Sequence, residues 1–360
     1  MNRFWSTALR TAIGAAAAAA LSAASATSYA APPGVVRCWG SNGHGQCVPP
    51  IGLGLVTQVS AGGQHTLALK VGGHIAAWGY NAFGQCSVPG GILDAMAVEA
   101  GDIHSVALRG DRSVICWGDN SYGQCNAPAL TDVVQICAQS QRTVVLLGDG
   151  TVRCWGRNDL GSCNVPGSLS GVVQLSISGW ENYALRSDGT VVSWPQGWAT
   201  GVGGPQVAAI SVGGNHFVMK DVEGRLQCFW PAPPQEGQCN IPNLLPVIQV
   251  DAGSSFTVAL ETGGSVRAWG YNLSGETVVP ADIYNVSFVS AGDRHTAVIV
   301  ADPCPGDLFD DQQVNGADLG ILLSQWGLSN ANTVSDINHD DRVDGSDLGL
   351  LLSNWGPCPI

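Results

Sequence analysis

The stretch Cys38-Trp39-Gly40-Ser41-Asn42-Gly43-His44-Gly45-Gln46-Cys47 returns in altered copies down the sequence as far as Trp269. Its tryptophan recurs at Trp78, Trp117, Trp155, Trp194, Trp230 and Trp269, with successive separations of 39, 39, 38, 39, 36 and 39 residues. A period of that size marks a repeat architecture, in which each unit buries its apolar face against its neighbour.

Each unit runs through an apolar stretch, a Gly-x-x-His-like turn, an alternating strand, a Gly-containing hairpin, a strand ending in Trp-Gly, and a Gly-Gln-Cys segment leading to proline, as in Val56 to Pro89. The alternation His65-Thr66-Leu67-Ala68-Leu69 turns one face of a strand to a core, and Ser187-Asp188-Gly189 supplies a hairpin that tolerates positive φ. Short, evenly spaced strands without a helical period between them leave a propeller or a solenoid. The two ends decide. Val35 to Cys47 lacks the strands that should precede a Trp-Gly segment, while Val286 to Ala301 stops before its own Trp strand, so each end supplies what the other lacks. The reading is a mainly β chain whose residues 31–301 form a seven-bladed β-propeller closed by the N-terminal strand, which leaves no open sheet edge.

The unit decays in places. The turn histidine stands at His65, His104, His216 and His295, and Arg142, Asn182 and Phe256 are read as its replacements. Because three of seven units manage without it, the histidines read as local ties to the backbone of their own blade rather than as a metal ring. The lattice tryptophans read as blade core. Trp180 and Trp198 lie off the lattice and read as exposed contact residues.

The cysteines follow the repeat. Cys38 and Cys47, Cys116 and Cys125, and Cys154 and Cys163 flank a Trp-Gly-x-Asn turn, and Cys228 and Cys239 repeat the arrangement with a longer spacing. An outgoing strand and its return bring such pairs within bridging distance, whereas zinc needs four converging ligands and each unit offers two. Ala77 replaces the first partner of Cys86, which leaves Cys86 and Cys137 as orphans whose mutual pairing the spacing leaves open.

The pattern resembles the regulator-of-chromosome-condensation repeat family, particularly its short bacterial versions, over residues 35–301. The resemblance rests on Gly-x-x-His-Thr-x-Ala-Leu and Trp-Gly-x-Asn-x-x-Gly-Gln, as in Gly62 to Leu69 and Trp78 to Gln85. It implies the propeller fold. The family's nuclear member is a nucleotide-exchange factor, while its other relatives do unrelated things. Because this chain reads as exported, and its repeats hold no long insertion to wedge into a GTPase, a small GTPase is not expected as its partner.

Residues 1–30 carry Arg3 and Arg10, an apolar alanine-rich run from Ala12 to Ala24, and small residues at Ser28 and Ala30, which reads as a cleaved secretory signal of a bacterial extracellular or cell-surface protein. No further segment reads as a membrane span, and the 12 cysteines suit an oxidising setting. The net charge is −13, yet residues 302–360 hold ten aspartates and one arginine, so the acidity is local. No basic stripe is present for a phosphate backbone, which disfavours nucleic acid.

A second repeat lies in residues 302–360, where Asp307, Asp318 and Trp326 recur 29 residues on as Asp336, Asp347 and Trp355. Asp336, Asn338, Asp340, Asp344 and Asp347 put oxygen side chains at positions 1, 3, 5, 9 and 12 of a loop, with Arg342 giving its carbonyl at position 7. Calcium wants that spacing, because a tight loop must wrap six or seven oxygens around one hard cation. The first loop offers Asp307, Asp311, Gln313 through its carbonyl, Asn315 and Asp318, but Phe309 stands at position 3, so two calcium sites are expected and the first is the weaker. The segment resembles the type I dockerin family, whose loops end in Asp at position 12 and whose two units are related by a pseudo-twofold axis. That resemblance implies a cohesin-type partner gripped through Gly316, Ala317, Gly345 and Ser346 with the helices after them, although small residues replace the family's Ser-Thr pair. Cys304 and Cys358 flank the segment, and a bridge between them would clasp so small a core.

Two functions from different classes fit these features. One is a secreted, non-enzymatic binding or scaffold protein whose propeller holds a protein or glycan and whose C-terminal module docks to a partner. The other is a carbohydrate-active hydrolase or lyase carried by the same module. The acids of the propeller are scattered singly, with no carboxylate pair at suggestive spacing, and no nucleophile elbow, zinc cluster or phosphate loop is present, so the spacing favours the first.

Overall fold

The computed structural model describes residues 33–198, 201–204, 206–229, 236–301, 304–308, 313–328, 335–337 and 342–357, so residues 1–30 and their expected signal lie outside it. Strand β1 (Gly34–Gly40) stands apart from the hairpin order. The next strands come in threes: β2 (Val56–Ala61), β3 (His65–Lys70) and β4 (Ile75–Gly79); β5 (Ala95–Ala100), β6 (His104–Arg109) and β7 (Val114–Gly118); β8 (Val133–Gln139), β9 (Arg142–Leu147) and β10 (Val152–Gly156). They continue as β11 (Val172–Ile177), β12 (Asn182–Arg186) and β13 (Val191–Trp194); β14 (Val207–Val212), β15 (Phe217–Asp221) and β16 (Leu226–Phe229); β17 (Val247–Ala252), β18 (Phe256–Glu261) and β19 (Val266–Gly270). Only β20 (Val286–Ala291) and β21 (His295–Ala301) follow, and β1 completes their set: it runs antiparallel to β21 from Gly34 opposite Ala301 to Gly40 opposite His295. Among the described residues this makes seven antiparallel sets of three, and a single pair, Gly34 with Val56, ties the set formed by β20, β21 and β1 to the one after it.

The core lies between sets rather than within them. Val36, Ala297 and Ile299 of the last set pack with Val56, Val59, Ala68 and Trp78 of the first, and Leu67 and Leu69 of that one pack with Val98, Ala107 and Trp117 of the next. An alternating strand buries both faces only when it is flanked on both sides, which is why the sets stack around a ring. The innermost strand of each set carries a bulge at one place, as between Val56 and Gln58 or Val247 and Gln249. A bulge re-aims the following side chain. Here Gln58 reaches across to the N–H and carbonyl of Val98, and Gln135, Gln174 and Gln249 do the same to Leu175, Ile210 and Val289. These inner strands enclose a central channel of about 640 Å³.

Strand register corrects the sequence alignment twice. Trp78 stands opposite Thr66, and Phe229 stands opposite Phe217 in the equivalent place, so Phe229 and not Trp230 holds the lattice position; Trp230 lies outside the described residues. Asn182 stands opposite Trp194 and so takes the place of Thr66, which makes Glu181 rather than Asn182 the residue at the histidine position.

Beyond the ring, helices α1 (Gly316–Ser324) and α2 (Gly345–Ser353) repeat one design. Asn315 and Asp344 cap them, and Asp318 and Asp347 return the bond as capping boxes. Val314, Leu322, Val343 and Leu351 form one core with Cys304, and β22 (Gln313–Val314) pairs with β23 (Gly356–Pro357). No helix among the described residues is long and apolar enough to cross a membrane.

Candidate functional site

The quoted stretch is a lock between neighbouring units. Asn42 accepts the N–H of Cys47 at 2.9 Å and so folds the turn after Trp39-Gly40, while the side chain of Gln46 accepts the N–H of His44. The Gln46 carbonyl is thereby held outward, and it receives the indole N–H of Trp78 at 2.8 Å and the hydroxyl of Thr66 at 2.8 Å, both from the next unit. Gln85 does the same for Trp117 and Ser105, Gln124 for Trp155 and Thr143, Ser162 for Trp194 and the amide of Asn182, and Gln238 for Trp269 and Thr257. The last lock crosses the ends of the chain: Glu276 takes Trp39 at 3.0 Å and Thr296 at 3.1 Å. The lattice tryptophans are thus blade core and inter-blade donor at once.

The histidines add a second tie, and it runs to the next blade rather than to their own. Nε2 of His65, His104, His216 and His295 meets Ser105, Thr143, Thr257 and Thr66 at 2.9, 3.2, 2.8 and 3.1 Å. Each hydroxyl already gives its one hydrogen to a carbonyl, so Nε2 must be the donor and Nδ1 carries a bare lone pair. Nδ1 is buried without a partner in all four. The His104 ring packs directly on Gly101, where a Cβ would sit 2.7 Å from Nδ1, so that position has room only for glycine. A protonated ring would hold a buried charge with an unmet N–H, and burial pulls His65 down to about 3 and His104, His216 and His295 to about 4.

One seam lacks this pattern. After Trp194 the chain has no Gly-Gln turn, and the two donors that would meet it in the next unit are Phe217 and Phe229. Tyr183 stacks on Phe217 at 5.0 Å and Phe217 contacts Phe229 at 5.9 Å, so an apolar stack replaces the lock. Facing no hydroxyl, the Glu181 carboxylate turns to the free loop and accepts the N–H groups of Gly197 at 2.7 Å, Gln196 at 3.3 Å and Trp198 at 3.4 Å. Arg142, at the histidine position one unit earlier, donates to Asn182 and to the carbonyls of Ser178, Gly179 and Glu181. These two departures tie two turns down by hydrogen bonds, and from them Trp180 and Trp198 project 58% and 53% exposed. Beside Trp180 lies a pocket of about 110 Å³, lined among others by Gln141, Arg157, Asp159 and Leu160.

The same face carries more exposed apolar groups. The residue before Gly-Gln in successive turns is His44, Phe83 and Tyr122, and Leu160 holds that place in the turn before the altered seam. His44 meets Tyr80 edge-on at 4.8 Å, and the Arg157 guanidinium lies 5.1 Å over the Tyr122 ring, so contacts bridge adjacent units.

The channel holds acids that the spacing did not reveal as neighbours. One position of each inner strand accepts the next unit's N–H: Ser60 from Ala100, Ser176 from Val212, Ser211 from Ala252 and Ser290 from Ala61. Asp251 does so from Ala291, while Glu99 and Cys137 stand at the equivalent places. Burial and the like charge of Asp251 push Glu99 up to about 8, and burial pushes Asp251 up to about 6. Comparing each inner strand against the serine at this position would have found both.

Four disulfides join Cys38 to Cys47, Cys116 to Cys125, Cys154 to Cys163 and Cys228 to Cys239, with Cα atoms 4.9 to 5.3 Å apart, and Cys86 and Cys137 are free thiols. Cys304 is disulfide-bonded, while Cys358 lies outside the described residues. In the acidic segment Asp318 and Asp347 are buried; each accepts a loop N–H at 2.7 Å, from Leu308 and Ile337 respectively, and a second from Asn315 or Asp344. Gly316, Ala317, Gly345 and Ser346 are exposed at the starts of the helices. Asp336 is buried, Asp307, Gln313 and Arg342 are placed, and Asp311, Asn338 and Asp340 lie outside the described residues. Among the described residues no group of three His, Cys, Asp or Glu side chains is placed to hold a metal.

Residues 56–85, 97–124, 133–162 and 247–276 match the regulator of chromosome condensation (RCC1) repeat. No curated protein matches the chain. Among solved structures the chain is similar to Prp20p from Saccharomyces cerevisiae, studied for its binding to Gsp1p and histones, at 16% identity over 78% of this chain and 94% of that one with a TM-score of 0.64. It is also similar to human WBSCR16, at 17% identity over 75% and 99% with a TM-score of 0.62, and to the ectodomain of the receptor kinase CR4 from Physcomitrella patens, at 21% over 65% and 67% with a TM-score of 0.54. At these identities the likeness is one of fold, and the fold is an RCC1-like propeller of repeated three-stranded sheets.

Proposed function

We propose that the chain is a secreted, non-enzymatic binding protein: a seven-bladed propeller presents one face to a protein or glycan, and the acidic C-terminal module, similar to a dockerin, binds calcium and attaches the propeller to a cohesin-type partner. The observation that carries this reading is the placement of exposed apolar groups at one structural position of successive turns, at Phe83, Tyr122 and Leu160, beside Trp180 and Trp198. Exposed aromatic groups gathered on one face mark contact surfaces, because leaving them in water is unfavourable unless something covers them. The C-terminal module carries its own exposed pairs 29 residues apart, Leu323 with Leu352 and Trp326 with Trp355, which suits a docking face with twofold symmetry.

The donor set of the loops is all oxygen, which fits calcium, and Asp336 and Asp347 at the two ends of the second loop are both buried carboxylates, which a divalent cation would neutralise. When bound, the ion would screen these carboxylates from each other, held by Asp336, Asn338, Asp340, Asp344, Asp347 and the carbonyl of Arg342. Binding of Gsp1p or histones is not transferred from Prp20p. Four disulfides suit an oxidising compartment outside the cell, in keeping with the leader read from residues 1–30.

Calorimetry of the full chain with and without a calcium chelator tests the reading. The expected outcome is loss of one transition, belonging to residues 302–360, with the ring's transition unmoved. Identical traces in both conditions overturn the calcium part. The second reading, a carbohydrate-active hydrolase, draws on Glu99 and Asp251 in one channel. Turnover of soluble polysaccharides that disappears in Glu99→Gln would establish it in place of the first.

A further inference from the structure

We propose that the pocket beside Trp180 is a binding site for a neutral saccharide, with the Trp180 indole as the stacking platform. This rests on the reading of the face as a contact surface and assigns its ligand class.

The location comes from the repeat itself. In the units on either side, the histidine position serves only to tie blades together, as His104 and His216 show. At two consecutive units that position is Arg142 and then Glu181, and neither makes the usual tie to a hydroxyl. Arg142 spends its donors on the turn that carries Trp180, and Glu181 spends its acceptors on the loop that carries Trp198. The substitutions therefore convert ring-closing residues into supports for two exposed indoles. A support of that kind fixes the backbone from which each indole projects, which lowers the ordering cost when a ligand arrives.

The ligand class follows from shape and charge. A volume of about 110 Å³ admits a ring-sized group and no extended segment. The charges at the site are already balanced: Arg157 is paired with Asp159 through Nε at 2.8 Å and Nη2 at 2.7 Å, and Arg142 is buried under carbonyls. An ionic ligand would have to break the first pair, and so gains little. A neutral one meets Arg157 N–H groups, the Asp159 carboxylate and the Gln141 amide side by side, which is a donor–acceptor edge suited to neighbouring hydroxyls. An uncharged, ring-sized molecule with hydroxyls on its edge and C–H groups on its face describes a saccharide. The exposed Tyr122, already covered on one side by Arg157, continues the platform for a second ring.

The test uses the full chain with neutral hexaoses of glucose, xylose and mannose as probes, followed by titration calorimetry and by product analysis of the same mixtures. Binding of at least one hexaose is expected, weakened about tenfold or more by Trp180→Ala and unaltered by Leu273→Ala on a distant turn. Trp180 and Leu273 are both exposed, so neither change threatens folding. Absence of binding by all three hexaoses, or binding that Trp180→Ala leaves intact, overturns the assignment while leaving a protein ligand for the face. Shortened products that vanish in Trp180→Ala support the site and overturn the non-enzymatic reading instead.

Discussion

Trp39→Ala probes ring closure directly, because Trp39 sits near the start of the described chain yet bonds to Glu276, 237 residues away. In an open array this tryptophan would belong to a terminal unit, and its loss would fray one end. In the ring it is equivalent to Trp117, which is as buried and donates to Gln85 at 2.9 Å against 3.0 Å for Trp39. Truncating a buried tryptophan costs about 3–5 kcal/mol. The indole bond is about 1 kcal/mol of that, so Trp39→Phe should cost about 1 kcal/mol if the ring fills the space. For a unit of this size each kcal/mol lowers the melting temperature by roughly 2–4 °C, which puts Trp39→Ala roughly 10 °C below the parent. Thermal unfolding of parent, Trp39→Ala, Trp39→Phe and Trp117→Ala, read by the near-ultraviolet signal, compares them. Closure predicts that Trp39→Ala and Trp117→Ala fall together within about 1 kcal/mol. If Trp39→Ala costs under about 1 kcal/mol while Trp117→Ala shows the full loss, the closed ring is refuted.

The histidines make the ring sensitive to acid. Their folded pKa values lie below the ordinary 6.5, so the unfolded chain takes up protons first: the histidines' contribution to stability is fully present above pH 6.5 and falls as pH drops toward about 4. His216→Phe, which copies Phe256 at the same position, should remove about 2 kcal/mol of the stability difference between pH 7 and pH 5, as read by denaturant titration at both values. An unchanged difference would show that His216 titrates normally. In the acidic module, Phe309→Asp restores an oxygen at position 3 of the first loop and should tighten its calcium binding; titration calorimetry should then show two sites of similar affinity, and a first site no tighter than before would count against the loop assignment.

Much of the ring was legible in the sequence because it repeats. The Trp-Gly-x-Asn and Gly-Gln elements recur because each makes the same bond wherever it stands, such as Asn81 to the N–H of Cys86 and Gln85 to Trp117. The exchange of β1 to the last set was legible too, since each end lacked what the other held. What escaped was anything that depended on exact register where the unit decays. Around Asn182 one residue of slip moves Glu181 out of the histidine column, and a strand's side chains alternate faces, so the slip also reverses which group points across the seam. The direction of the histidine bonds was hidden for another reason. The sequence reading ties each ring to the backbone of its own blade, yet each ring meets a hydroxyl of the following unit, about 40 residues on for His65, His104 and His216 and across the closure at Thr66 for His295. Glu99 and Asp251 escaped because distance in the chain says nothing about distance across a channel.

The altered seam shows how a symmetric ring makes room for one asymmetric site. A lock needs a carbonyl in one unit and two donors in the next, and losing either half alone would leave a buried polar group unmet, at about 1–3 kcal/mol. Here both halves are gone together: the Gly-Gln turn is missing after Trp194, and Phe217 and Phe229 stand where a hydroxyl and an indole N–H would be. The stack of Tyr183, Phe217 and Phe229 keeps the interface packed, so the loop after Trp194 has no structural duty left in the lattice. Glu181 then had no hydroxyl to meet and could take hold of that loop instead. A single substitution could not have produced this arrangement at low cost. Restoring one member, as in Phe217→Thr, should therefore destabilise the seam, because the new hydroxyl would find no carbonyl and the stack would lose its middle ring.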